Sequence, residues 1–184
     1  MRRILVVIDM QNDFIDGALG TAEAVAIVPK VVEKIGQYDP WNIYLTRDTH
    51  YENYLETQEG RNLPVEHCIK DTDGWQLRAE VAEAAKGATI IDKPTFGSVE
   101  LAGKLMVELA QEALELEVVG LCTDICVVSN ALLLKAAMPE VPITVDASCC
   151  AGVTPEKHRA ALETMRSCQI HVINAQGNGQ SIEQ

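Results

Sequence analysis

Hydrophobic and polar positions along the chain follow two alternating regimes. Short apolar runs rich in β-branched residues fall at 3–9 (RILVVID), 41–48, 88–93, 116–122, 142–147 and 169–174. Between them, 23–38, 75–87, 98–115, 124–138 and 154–168 repeat their apolar residues at helical spacing. Strand-sized runs alternating with helix-sized ones predict successive βα units. The expected fold is a three-layer α/β/α domain, with a mostly parallel sheet of about six strands covered by helices on both faces. End signals agree with this, since Ser98 and Thr154 can cap helices, Pro155 suits a first helical turn and Gly87 can end one.

The pattern predicts one domain over 1–174 and a frayed tail at 175–184 (AQGNGQSIEQ). Residues 49–74 have no clear periodicity, and such segments inside a compact domain are usually functional or disordered. Their Tyr, Leu, Pro and Cys content favours order. Trp75 reads as the opening of the second helix.

Composition changes this picture little. Of 184 residues, 47% are apolar and only 4% aromatic, so the core should be aliphatic. The net charge of −12 disfavours nucleic acid and anionic membranes and leaves small neutral or cationic molecules as the expected partners. The N-terminal apolar run meets Asp9 too early for a signal peptide or a membrane span, so the cytoplasm is the expected location. Six cysteines without disulfide-scaffold spacing read as reduced thiols, and Cys122 to Cys126 is CxxxC, not a redox or zinc CxxC.

Ligands of open α/β sheets bind beyond the carboxyl ends of the strands. Read off there, the chain offers Asp9, Asp48, Lys93, Cys122 to Cys126, and Asp146. Singly, each has an ordinary role: a turn-forming Asp, a solvated Lys, a small buried Cys. Together they describe acyl transfer. Cys126, inside the first turn of a helix, gains thiolate character from the unpaired N–H groups. A carboxylate such as Asp9 can take the thiol proton and pass it to a leaving amine, Lys93 can hold both negative charges, and backbone N–H groups beside Cys126 can stabilise an oxyanion.

Three segments carry a family resemblance: VVIDMQNDF (6–14), DKPTFGS (92–98) and GLCTDICVVSNA (120–131). In order and placement they resemble the signature segments of the isochorismatase-like cysteine hydrolases, the superfamily that contains the nicotinamidases. The resemblance implies an Asp9, Lys93, Cys126 triad and an oxyanion hole of the Cys122 and Cys126 N–H groups, shaped by a cis peptide between Leu121 and Cys122. Cys122 stands where alanine is common.

RDTH (47–50) and EGRNLPVEHC (59–68) resemble the nicotinamidase metal segment. By that resemblance Asp48, His50 and His67 are ligands of a divalent metal, zinc or else Fe or Mn, with Glu59 favoured over Glu56 as the fourth. Phe14 matches one of the two aromatic side chains that bracket the substrate ring, whereas the second position falls near Leu63 and Pro64 and lacks its Trp. The implied activity is a metal-assisted cysteine amidase, with nicotinamide hydrolysed to nicotinate and ammonia as the most specific expectation.

The alternatives are hydrolysis of ureidoacrylate or carbamoyl amides, isochorismatase activity proper, which does not need Cys126, and a non-catalytic ligand-binding role. Relatives of this kind commonly form homo-oligomers. His158, among charged residues on a helix, reads as solvated, and His171 as structural. Cys149, Cys150 and Cys168 read as core or interface residues.

Overall fold

The alternation inside the first apolar run decides the layering. In β1 (Arg2–Ile8), Ile4, Val6 and Ile8 belong to one apolar cluster and Leu5 and Val7 to the other. All five are fully buried, because successive side chains of a strand point to opposite faces and both faces are covered. The computed structural model describes residues 1–175. The expected tail, past Ala175, lies outside the described residues.

Five further strands complete the sheet: β2 (Ile43–Asp48), β3 (Thr89–Lys93), β4 (Leu114–Leu121), β5 (Ile143–Ala151) and β6 (His171–Ile173). Their order is β3-β2-β1-β4-β5-β6, and every pairing is parallel. On one face lie α1 (Asn12–Ile15), α2 (Ala22–Ile35) and α4 (Ala79–Ala84). The other carries α5 (Val99–Leu109), α6 (Val128–Ala137) and α7 (Pro155–Ser167). The short α3 (Gln58–Asn62) sits within the segment that has no periodicity. The three-layer α/β/α architecture is therefore as expected.

Strand order reverses between β1 and β4, so the crevice beyond their carboxyl ends is where a ligand has room to enter. Gly120 makes the close approach of these strands possible. Its φ is +118°, and a Cβ there would stand 2.1 Å from the Ile8 carbonyl oxygen.

The helix expected over 75–87 shrinks to Ala79–Ala84. Trp75 is not its first residue: its indole N–H donates to Thr49 Oγ1 at 2.9 Å, and the Arg47 guanidinium lies 3.7 Å from the ring centre. Pinning that Trp beside the end of β2 holds 75–78 in a turn and a short bridge to Gln11, so the helix starts only at Ala79. The run expected at 124–138 also divides, into a wide turn at Thr123–Val127 and then α6. Among the described residues, no helix is long and apolar enough to cross a membrane.

Candidate active site and metal cluster

Asp9 follows β1, Lys93 ends β3, and Cys126 lies in the wide turn after β4; the sheet brings these distant residues together. Lys93 Nζ stands 2.7 Å from Asp9 Oδ2 and 3.4 Å from Cys126 Sγ. It also donates to the Thr95 carbonyl at 3.0 Å. Asp9 has a positive φ of 45°, a backbone state uncommon for a residue with a side chain. Its Oδ1 accepts from the Thr46 hydroxyl at 2.6 Å, while Oδ2, beside the ammonium, has no aligned hydrogen-bond donor among the described residues. That oxygen is free to take a proton.

All three groups are buried, and burial dominates their electrostatics. It pushes the Asp9 carboxyl up, against Lys93, and the neighbouring Asp48 adds to the rise. Lys93 is itself raised: burial opposes its charge, but Asp9, Cys126 and Asp48 together outweigh it. Cys126 goes the opposite way from the sequence expectation. Burial, with Asp9 beside it, lifts the thiol well above its ordinary value despite Lys93. Cys126 is only 4% exposed, and the cost of desolvating a thiolate there outweighs what the N–H groups of the turn return. The resting group is a thiol.

The Leu121–Cys122 peptide bond is cis, as the resemblance implied. The Cys122 carbonyl accepts from the N–H of Ile125 at 3.0 Å and of Val127 at 3.1 Å, bypassing the N–H of Cys126 between them. Such wide turns recur at functional sites. Burial pushes the Cys122 thiol up to about 12, which leaves it uncharged.

Four donor groups converge next to the triad. Ligand atoms of Asp48, His50, Glu59 and His67 lie within 4.8 Å of one another. His50 Nε2 is 3.0 Å from Asp48 Oδ2 and 3.5 Å from Glu59 Oε1, and His67 Nε2 is 3.7 Å from that Asp48 oxygen. Glu59, on α3, joins this group, whereas Glu56 does not.

The ring N–H of His67 Nδ1 donates to the Val65 carbonyl at 2.8 Å, which leaves the Nε2 lone pair aimed inward. Tyr54, fully buried, packs against both imidazoles at 4.7 Å and 5.0 Å between centres. Burial lowers the His50 pKa, but the Asp48 and Glu59 carboxylates overcome it and carry it to about 9. Two imidazoles and two carboxylates, oriented by backbone and aromatic neighbours, fit a zinc-like divalent ion.

Cys126 and the four donors line a cleft of about 700 Å³, with Asp9 and Lys93 buried behind the sulfur. Its walls include Phe14, Leu63, Phe96 and Ile125, with Asp48, His50, Glu59, His67, Cys122 and Cys126 also lining it. Leu63 stands where the missing aromatic was expected. Phe96, which the sequence reading passed over, supplies an aromatic edge from the loop after Lys93. Its signal was its place inside DKPTFGS.

Supporting residues also escaped the sequence reading. Gln11 spans the loops: its side-chain amide donates to the Asp48 and Trp75 carbonyls at 2.8 and 2.9 Å and accepts from the Asp48 N–H at 2.7 Å. Asp13 Oδ2 accepts from the Cys68 N–H at 2.7 Å. Asn130 donates to the Cys126 and Phe96 carbonyls at 2.8 and 2.9 Å and accepts from the Ser98 N–H at 2.9 Å.

His158 is half-buried, not solvated, and its Nδ1 lies 2.7 Å from Thr123 Oγ1. Asp146 points elsewhere, into an ion network with Lys34 at 2.9 Å. His171 is exposed at the far edge of the sheet. Cys149 and Cys150 are buried, Cys168 is exposed, and all six cysteines are free thiols.

Known proteins share this fold. The chain is 26% identical over 184 residues to the nicotinamidase/pyrazinamidase of Mycobacterium tuberculosis, covering 93% of this chain and 98% of that one. The structure of Pyrococcus horikoshii pyrazinamidase in complex with zinc superposes with a TM-score of 0.79 at 28% identity, over 95% of this chain and all of that one. The nicotinamidase/pyrazinamidase structure from Bacillus subtilis gives 0.77 at 26% identity, over 94% and 99%. The isochorismatase-domain family model matches residues 3–177, and the chain belongs to that family.

Proposed function

We propose that residues 1–174 form one amidase domain, a cysteine hydrolase that converts a small aromatic carboxamide, nicotinamide in the most specific reading, to the carboxylic acid and ammonia. One observation carries this: Lys93 stands within ion-pair distance of Asp9 and hydrogen-bonding distance of Cys126, and Cys126 lines a cleft that also exposes the Asp48, His50, Glu59 and His67 donors.

Asp9 Oδ2 takes the Cys126 thiol proton as sulfur attacks the carboxamide carbon. Because the thiol rests protonated, this transfer is coupled to attack and needs no standing thiolate. The carbonyl oxygen becomes an oxyanion held by the Cys122 and Cys126 N–H groups. Asp9 returns the proton to nitrogen, the C–N bond breaks and ammonia leaves a thioester.

Asp9 then deprotonates a water that attacks the same carbon, and collapse returns the proton to sulfur and releases the acid. Lys93 keeps one cationic centre beside the sulfur and the carboxylate throughout. Asp48, His50, Glu59 and His67 would hold the metal, which when bound supplies a Lewis-acid point that a heteroaromatic ring nitrogen can use. Phe14 and Phe96 contribute aromatic wall for the ring.

The nicotinamidase and pyrazinamidase relatives support an aromatic amide over a ureido compound. The cytoplasm is the proposed compartment, on the lack of disulfide-scaffold spacing among the six cysteines. The test is ammonia release from nicotinamide, pyrazinamide and carbamoyl amides. Turnover of the aromatic amides that ceases in Cys126→Ala is expected; turnover that survives the substitution defeats the triad.

A further inference from the structure

Resting on the reading of Cys126 as nucleophile, we propose that His158, on α7, is a positioning residue for the turn that presents Cys126 and the Cys122 N–H. The wide turn Thr123–Val127 is tied to the chain before and within α7 at two points. The first is the Thr123 hydroxyl, fully buried, 2.7 Å from His158 Nδ1. The second is Asp124, whose Oδ1 accepts from the Val153 N–H at 2.9 Å.

The seating is close: a Cβ at Gly152 would stand 2.8 Å from both Asp124 Oδ1 and the His158 backbone nitrogen. Thr123 directly follows Cys122, so the contact on its side chain anchors the chain one residue after the Cys122 N–H. Burial outweighs the Asp124 carboxylate and holds the His158 pKa below its ordinary value, so at neutral pH the ring is uncharged and pairs with the Thr123 hydroxyl as donor or acceptor according to its tautomer. Placement errors of a fraction of an ångström at an attacking group are costly in rate.

The test compares His158→Ala, His158→Asn, Thr123→Val and the double variant His158→Ala/Thr123→Val, with His171→Ala as a remote control. His158→Ala should lower kcat about tenfold with KM within about twofold, since the substrate walls are untouched. His158→Asn, whose Oδ1 takes the place of Nδ1, should restore most of it. The double variant should be no worse than the Thr123 change alone, because both remove one contact.

A kcat for His158→Ala within about twofold of wild type, no restoration by Asn, or additive losses overturns the proposal. A second arm needs no turnover: the rate of Cys126 alkylation by iodoacetamide, read by mass spectrometry. A change of about threefold or more in His158→Ala and Thr123→Val but not His171→Ala supports positioning, and equal rates overturn it. If wild type hydrolyses no amide, the amidase reading fails and the alkylation arm decides alone.

Discussion

At the scale of single residues, the sealed thiol and the carboxylate beside it set the chemistry. Burial drives both Cys126 and Asp9 up, and Lys93, 2.7 Å from the carboxylate, holds a positive charge beside them while one proton is exchanged. Asp9→Asn removes the acceptor and leaves Lys93 buried without its strongest partner. Its kcat for amide hydrolysis should fall by about 10³-fold or more, measured as ammonia release at saturating substrate.

Asp9, Lys93 and Cys126 were legible in the sequence because each ends or follows an apolar run. Gln11, Asn130 and His158 were not. Their partners lie at |i−j| of 37, 32 and 35, and nothing local marks a side chain whose task is to join two remote loops.

Elements carry the next constraint. The segment between β2 and β3, irregular in sequence, is ordered by Gln11, Asp13 and Trp75 so that His67 faces Asp48 and His50. Chelation followed by gel filtration should lower kcat/KM by about tenfold or more, and added zinc should restore it. His67→Ala should raise the metal concentration needed for half-maximal activity by about 10- to 100-fold.

The β1–β4 approach gives a second expectation at this scale. Gly120→Ala places a methyl group against the Ile8 carbonyl at a positive φ, so it should cost about 3 kcal/mol or more, read as a lower urea midpoint with unchanged m. The turn at Thr123–Val127 shows why element boundaries were harder to read than element existence. Its residues are apolar enough to continue a helix, yet the register of α6 is set by packing on α5, α7 and β5.

Over the whole molecule, the ends of the sheet divide the work. The carboxyl ends of β1, β3 and β4 hold the site, and a separate ion network ties α2 to β4 and β5. Lys34 Nζ lies 2.5 Å from Glu117 Oε1 and 2.9 Å from Asp146 Oδ2, with both acids nearly sealed. Burial opposes both charges, yet Ser148, Lys34 and Asn174 hold the Asp146 carboxyl below its usual 3.8, and the two acids hold Lys34 above its usual 10.5. The stability from Asp146 is thus full above its unfolded pKa and lost as pH falls through its lower folded value. That from Lys34 is full below its unfolded pKa and lost as pH rises through its higher folded value.

Wild type should therefore hold a plateau of Tm across neutral pH. Lys34→Met leaves buried Asp146 without its cation and Glu117 with only the exposed Arg3 at 3.4 Å, and should cost about 3 kcal/mol at pH 7. Its Tm should rise as pH is lowered from 7 towards about 5, where wild type stays level, because protonation relieves the unpartnered Asp146.

The sequence by itself determined the alternation of strands and helices, the burial of both sheet faces, and the residues placed at the strand ends. Those follow from side-chain periodicity, which is local. Only the tertiary structure decided that Glu59 and not Glu56 joins the two histidines, that Phe96 walls the cleft, and that Cys126 rests as a thiol. Each of these depends on which distant groups exclude water from a given atom, and that is set by packing across the sheet.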